Sequence, residues 1–401
     1  MAATSLLLTL LLAAPGGEPS DRVLLKNGKE LLGRVLFQDA TTLVLRQDGR
    51  DTELELGAIA RVESRRANLA TLLENAARAD LGDVEELELL AAQAEEMGLP
   101  GEAQVFWWRL LRLDPERQDA RRSLGHEKRG GGWTLPLGRR QVDEARRVAL
   151  ARDWGTAWEL ASFHYRLRTN LPLERALELL LDLERVYAAF QALIGAELRL
   201  FDVTRPLSVH VHATRASYPE TANEGGMYDS GADIVHVNAA ERLDCGVLAH
   251  ELVHQLLYVT VFRERGASAG TLPGWMDEGL AEYVGSTVSC WPAPHEPGRV
   301  RKDYFRLQAD APRPLDLTRV LSLAADDYYA STDRDLKYAQ SYTLVHFLLH
   351  GDGGRHRAGF LAFLRQVYAG KGSSTDLKRA LDTDWRTLEK AWLAYVRQQA
   401  S

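Results

Sequence analysis

The stretch Leu248-Ala249-His250-Glu251-Leu252-Val253-His254-Gln255-Leu256-Leu257 governs how the rest of the chain is read. No proline interrupts residues 239–258, and apolar residues recur there at helical spacing. Side chains four positions apart on a helix share a face, so His250 and His254 can aim two imidazoles at one ion. Zinc favours nitrogen donors at about 2.0–2.1 Å, which suits such a pair. Glu251 stands beside the first donor. There it can take a proton from water activated at the ion without being a ligand itself. With 11 histidines in 401 residues, chance gives this pattern on the order of 0.02 times per chain. The competing reading is a buried helix with two hydrogen-bonded histidines, and the downstream sequence weighs against it.

That downstream sequence is Trp275-Met276-Asp277-Glu278-Gly279-Leu280-Ala281-Glu282-Tyr283. His-Glu-x-x-His followed by Trp-x-x-Glu-Gly-x-Ala-Glu-Tyr resembles the gluzincin-type zinc metallopeptidases, most closely the bacterial peptidase MA-like family. The resemblance runs over residues 160–400 and is sharpest over 249–283. It implies a mainly helical, zincin-like domain with a small mixed sheet, Zn2+ as cofactor and Glu278 as third ligand. Residues 255–277 would then form a loop and part of a helix. Glu282 lies four residues beyond Glu278 on the same helical face. Ligating histidines usually donate their second N–H to a carboxylate, and Glu282 is the candidate for that role. Asp277 reads as a helix-start residue. Aminopeptidase-type gluzincins place an oxyanion-stabilising Tyr in a Tyr-x-x-small motif that opens a helix. Tyr338-Ala339-Gln340-Ser341 matches it, which assigns Tyr338, with Tyr342 the alternative one turn on. One departure stands out. Gly225-Gly226-Met227-Tyr228-Asp229 occupies the place of Gly-x-Met-Glu-Asn in those relatives, whose Glu holds a substrate's free amino end. Tyr228 cannot supply that charge, so an endopeptidase is expected. Gly226, Met227 and Tyr228 remain candidates for an edge strand that pairs with an extended substrate.

Around this centre the chain reads as α+β. Residues 1–17 resemble a signal peptide, an apolar run followed by Pro15-Gly16-Gly17, and export to the periplasm, cell envelope or medium is expected. Residues 20–65 alternate short apolar runs with turn chemistry at Asn27-Gly28 and Asp48-Gly49. This layout predicts a small β-barrel or a curled sheet, and it loosely resembles SH3-like or Sm-like modules. Residues 67–135 show helical periodicity, with a layout resembling a tetratricopeptide unit, and end in a Gly130-Gly131-Gly132 linker. Residues 145–401 form the expected gluzincin-like domain. Within it, 173–195 carries an amphipathic stripe that reads as core packing. Residues 207–212 alternate as a half-wet strand, and His210 and His212 read as its polar face rather than as ligands.

The formal net charge of −7, with basic and acidic residues intermixed, gives no sign of a nucleic-acid partner. No later segment is long and apolar enough for a membrane helix. Cys245 and Cys290 either pair, as an exported protein allows, or remain separate thiols. The function expected is a zinc-dependent endopeptidase acting on a peptide or protein, with a possible protein partner at the N-terminal modules. Its competitor is an envelope scaffold with a non-catalytic zinc site. Hydrolysis of a non-peptide amide is not separable from these by sequence.

Overall fold

Turn residues between short apolar runs divide residues 21–63 into five strands: β1 (Asp21–Leu25), β2 (Glu30–Gln38), β3 (Thr42–Gln47), β4 (Arg50–Glu55) and β5 (Ile59–Glu63). They come from a computed structural model that describes residues 21–219, 225–260, 272–290, 293, 295–296, 298–330, 332–368 and 373–401. The expected signal peptide lies outside the described residues. The chain is mixed α/β and divides into two compact units, Met1–Leu181 and Asp182–Ser401.

In the first unit the five strands run in the order β4-β3-β2-β1-β5 over a core of Val23, Val35, Leu43, Leu45 and Ile59. Of the two forms expected, a barrel or a curled sheet, the barrel is corrected: the sheet is open. A 3-10 turn at Leu56–Ala58 separates β4 from β5. β5 then pairs with β1, and β4 is left as an edge rich in charged residues, a composition that discourages further pairing. Asp21 ties this sheet to the start of the first helix, accepting from the backbone N–H groups of Val35 at 2.8 Å and Arg65 at 2.9 Å.

Helices α1 (Arg65–Arg78), α2 (Val84–Glu96), α3 (Pro100–Leu113) and α4 (Gln118–Ser123) come next. Asp83 caps α2 and Pro100 starts α3, both expected helix-opening chemistry. The triple glycine is not a linker. Gly130 and Gly131, at φ +57° and +87°, make the turn of a hairpin. That hairpin belongs to a three-stranded sheet of β6 (Glu127–Arg129), β7 (Gly132–Leu137) and β8 (Arg140–Asp143). Helix α5 (Glu144–Leu150) and the hairpin β9 (Trp158–Ala161) with β10 (Tyr165–Thr169) come after it, and α6 (Leu173–Phe190) contains the boundary between the units.

In the second unit, after the short α7 (Ala196–Leu198), β11 (Leu207–His212) runs parallel to β13 (Ile234–Asn238). β12 (Gly226–Asp229) pairs antiparallel with β13 and forms an edge of the sheet. The rest is helical: α8 (Cys245–Tyr258), α9 (Gly274–Gly285), α10 (Lys302–Asp310), α11 (Leu317–Ser322), α12 (Ala325–Tyr329), α13 (Arg334–His350), α14 (Arg357–Tyr368), α15 (Ser374–Leu381) and α16 (Trp385–Ala400). α13 is buried almost all round and is the axis of the unit, with α9 and α10 packed on it. Among the described residues no helix is long and apolar enough to cross a membrane.

Candidate metal centre

α8 begins at Cys245, where Asp244 accepts from the Gly246 N–H at 2.7 Å. Leu248, Ala249, Leu252, Val253, Leu256 and Leu257 are buried, which leaves His250, Glu251 and His254 on the remaining face. Buried Gln255 fixes the helix against the sheet, donating to the carbonyls of Ser208 and Asp233 at 3.3 Å each. α9 packs against both α8 and α13. Its close approach to α13 requires glycine at 279: a Cβ there would lie 2.7 Å from the Ser341 carbonyl oxygen and 2.6 Å from Val345. This packing carries Glu278 to the two histidines.

Three donor atoms converge. His250 Nε2 and His254 Nε2 are 3.0 Å apart, and Glu278 Oε2 lies 3.1 Å from the first and 3.5 Å from the second. A tetrahedral ion with bonds of 2.0–2.1 Å needs ligand atoms about 3.3–3.4 Å apart, so the residues fit such an ion. Glu278 is moreover almost fully buried, 3% exposed. Among the described residues this set holds three donors and no fourth.

The outer nitrogens are held as well. His250 Nδ1 faces Glu282 Oε1 at 3.4 Å, and His254 Nδ1 faces Asp277 Oδ1 at 3.0 Å. Asp277, read from sequence as a helix-start residue, sits in the first turn of α9 and also holds an imidazole. Glu282 is in turn fixed by Arg301 at 2.8 Å and the Tyr304 hydroxyl at 3.0 Å. Neither Arg301 nor Tyr304 was singled out by sequence. Tyr329, equally unforeseen, places its hydroxyl at Glu278; burial, then the charges of Glu278 and Asp277, push its pKa up.

Electrostatics favour positive charge here. Burial, the largest single influence on His250, lowers its pKa, but hydrogen bonds to Glu278 and Glu282 outweigh it and lift the ring to about 10. His254 rises well above its ordinary value as Asp277 and Glu278 overcome the same burial. Glu278 is held below the usual carboxylate range, because the two imidazoles outweigh its burial. A proton or a divalent cation can answer that demand.

Glu251 points out of this set towards β12. A Cβ on Gly226 would come within 2.7 Å of Glu251 Cγ, and the Tyr228 backbone N–H donates to the Glu251 carboxylate. Burial lifts the Glu251 pKa, partly offset by His250 and His254. A cleft of about 1360 Å³ opens alongside, lined among others by Glu251, Tyr338, Arg301 and Arg334. Tyr338 has its ring centroid 6.4 Å from that of His250. Tyr342 lies elsewhere: it is buried, and its hydroxyl accepts from the Arg301 N–H at 3.0 Å. Tyr228 sets its ring 6.0 Å from that of Tyr258, tilted by 60°, and donates its hydroxyl to Asp233 at 3.0 Å. Cys245 and Cys290 form a disulfide at the cleft wall.

Residues 244–369, which hold the converging donors and Tyr338, match a family model described as a protein of unknown function (DUF1570). No curated protein matches the chain.

Proposed function

We propose that the chain is a zinc-dependent peptidase of the gluzincin type that cuts within polypeptides. The observation that carries this reading is the geometry of His250, His254 and Glu278, three donors at tetrahedral spacing with no fourth among the described residues. A structural zinc site is ordinarily closed by four protein ligands, whereas a catalytic one keeps a position open. The exported location is supported by the Cys245–Cys290 disulfide, a bond that persists in oxidising compartments.

Bound at this centre, zinc supplies Lewis acidity, lowering the pKa of water and polarising a carbonyl oxygen. Asp277 and Glu282 hold the two imidazoles in the orientation that presents Nε2. Glu251, kept basic enough by its burial to hold a proton, accepts one from the attacking water and delivers it to the leaving nitrogen. Tyr338, whose pKa burial and then Glu278 push up, stays a neutral phenol and donates to the carbonyl oxygen as charge gathers there. The outer edge of β12, the last strand of the sheet among the described residues, pairs with an extended substrate, bringing a scissile bond beside Glu251. With no Glu at position 228, a free amino terminus is not required.

The test is metal analysis together with cleavage of a peptide library, free and N-acetylated, by wild type and Glu251→Gln. We expect both substrate forms to be cut, and the variant to keep its metal while losing about 10²–10⁴ in rate. Unchanged turnover by metal-loaded Glu251→Gln would remove Glu251 from the chemistry. No cleavage by metal-loaded wild type would favour the scaffold reading.

A further inference from the structure

A second group of histidines lies on the other face of the small sheet. Along β11, Leu207, Val209 and Val211 are buried, while Ser208, His210 and His212 alternate with them; along β13, Val235 and Val237 are buried and His236 alternates between. The parallel register sets His210 directly beside His236, with His212 two residues further along β11. The identity of this face is fixed by β12. Gly226 opposes Val237, and residues directly opposed across a ladder point to one side. Gly226 faces Glu251, so Val237 shares the α8 side, and His236 with its partner Met227 points away from it.

The geometry points to His210, His212 and His236 as a second metal site that takes a late first-row divalent cation of the Cu2+, Zn2+ or Ni2+ class. His212 Nε2 and His236 Nδ1 are 3.2 Å apart, close to the spacing of about 3.3 Å that two nitrogens on one such ion adopt. A ring nitrogen of His210 lies within 4.8 Å of both, so a small rotation of one ring closes the set. The donors stand on paired strands rather than loops, which fixes their mutual positions before any ion arrives. His212 is buried, while His210 and His236 are partly exposed. The donor set is all imidazole and both cysteines are in the disulfide, so thiolate chemistry plays no part. Three nitrogens of intermediate softness select copper(II), nickel and zinc over magnesium or calcium. Solvating a sheet face needs only Ser, Thr or Lys; three imidazoles at one point also create a common binding position.

The experiment is equilibrium dialysis of the full chain against Zn2+, then metal quantification. We expect two equivalents for wild type, one for His250→Ala/His254→Ala, one for His210→Asn/His236→Asn, and none for all four together. Cu2+ loaded into His250→Ala/His254→Ala should show electron paramagnetic resonance hyperfine splitting from several nitrogens, lost on adding His210→Asn/His236→Asn. His236→Gln alone repeats the measurement if the paired Asn variant melts early. One equivalent in wild type that His210→Asn/His236→Asn leaves untouched would overturn the site, as would nitrogen-bound Cu2+ that survives loss of His210 and His236. The count is independent of peptide cleavage, so this site and the peptidase reading fail separately.

Discussion

Tyr338 and Tyr342 lie one helical turn apart on α13 yet meet different surroundings. The first lines the cleft beside His250; the second is buried with its hydroxyl taken by the Arg301 backbone. Tyr338→Phe keeps the ring and removes only the donor. On the proposed mechanism kcat should fall by about 10²–10³, with KM and metal content nearly unchanged, because the lost hydrogen bond belongs to the transition state. Tyr342→Phe should leave kcat close to wild type and instead cost about 1 kcal/mol of stability, the net worth of one buried hydrogen bond. Steady-state kinetics and a denaturant melt of both variants check this. A crippled Tyr342→Phe beside an active Tyr338→Phe would shift the donor by one turn.

Helix and strand packing sets how closely the base approaches its substrate. β12 passes Glu251 at a distance only glycine allows, since a Cβ on residue 226 would sit 2.7 Å from Glu251 Cγ and 3.0 Å from Val247. Gly226→Ala should therefore displace Glu251 and lower kcat/KM by on the order of 10²-fold, the effect of roughly 1 Å of misplacement, while the metal stays bound. Full activity in that variant would show that the strand yields. At this scale the sequence was informative where the signal is local. The 3.6-residue period and the His250–His254 spacing outline α8, and the alternation of 207–212 outlines β11. Glu278 reached the centre through a resemblance in sequence, and its placement depends on the glycine contact between α9 and α13. Arg301, Tyr304 and Tyr329 were illegible because each arrives from a separate segment whose route is set by tertiary packing. Barrel and curled sheet were not separable in the sequence for the same reason: strand propensity says nothing about which edges meet, and β5 pairs with β1.

At the scale of the whole molecule, each unit carries a buried histidine that resists protonation. His126 in the first is lowered to about 4 by burial and then by the Arg121 guanidinium; His346 in the second is lowered to about 4 by burial and then by His350. A folded pKa below the unfolded value means that the unfolded chain binds the proton first. The stability these rings contribute is thus present above pH 6.5 and is lost as pH falls towards 4, at about 1.4 kcal/mol per unit for each ring. Between pH 7 and pH 5 the Tm of wild type should fall further than that of a His126→Gln/His346→Gln variant, and equal falls would mean that both rings are open to water. The Cys245–Cys290 bond acts over the same range of scale. Its 45-residue separation makes a covalent ring in which His250, His254 and Glu278 all lie. Closing a loop of that length removes about 4 kcal/mol of unfolded-chain entropy. The same ring also tethers the three donors at a high effective concentration even when the fold is lost. Once one donor of the unfolded chain has taken up an ion, the others reach it over a shorter range than in the reduced, open chain. Chelator-stripped, denatured protein should reload metal on refolding with the disulfide intact, and do so markedly more slowly once it has been reduced. Equal reloading rates and equal Tm values for the oxidised and reduced forms would show that the tether has no such effect.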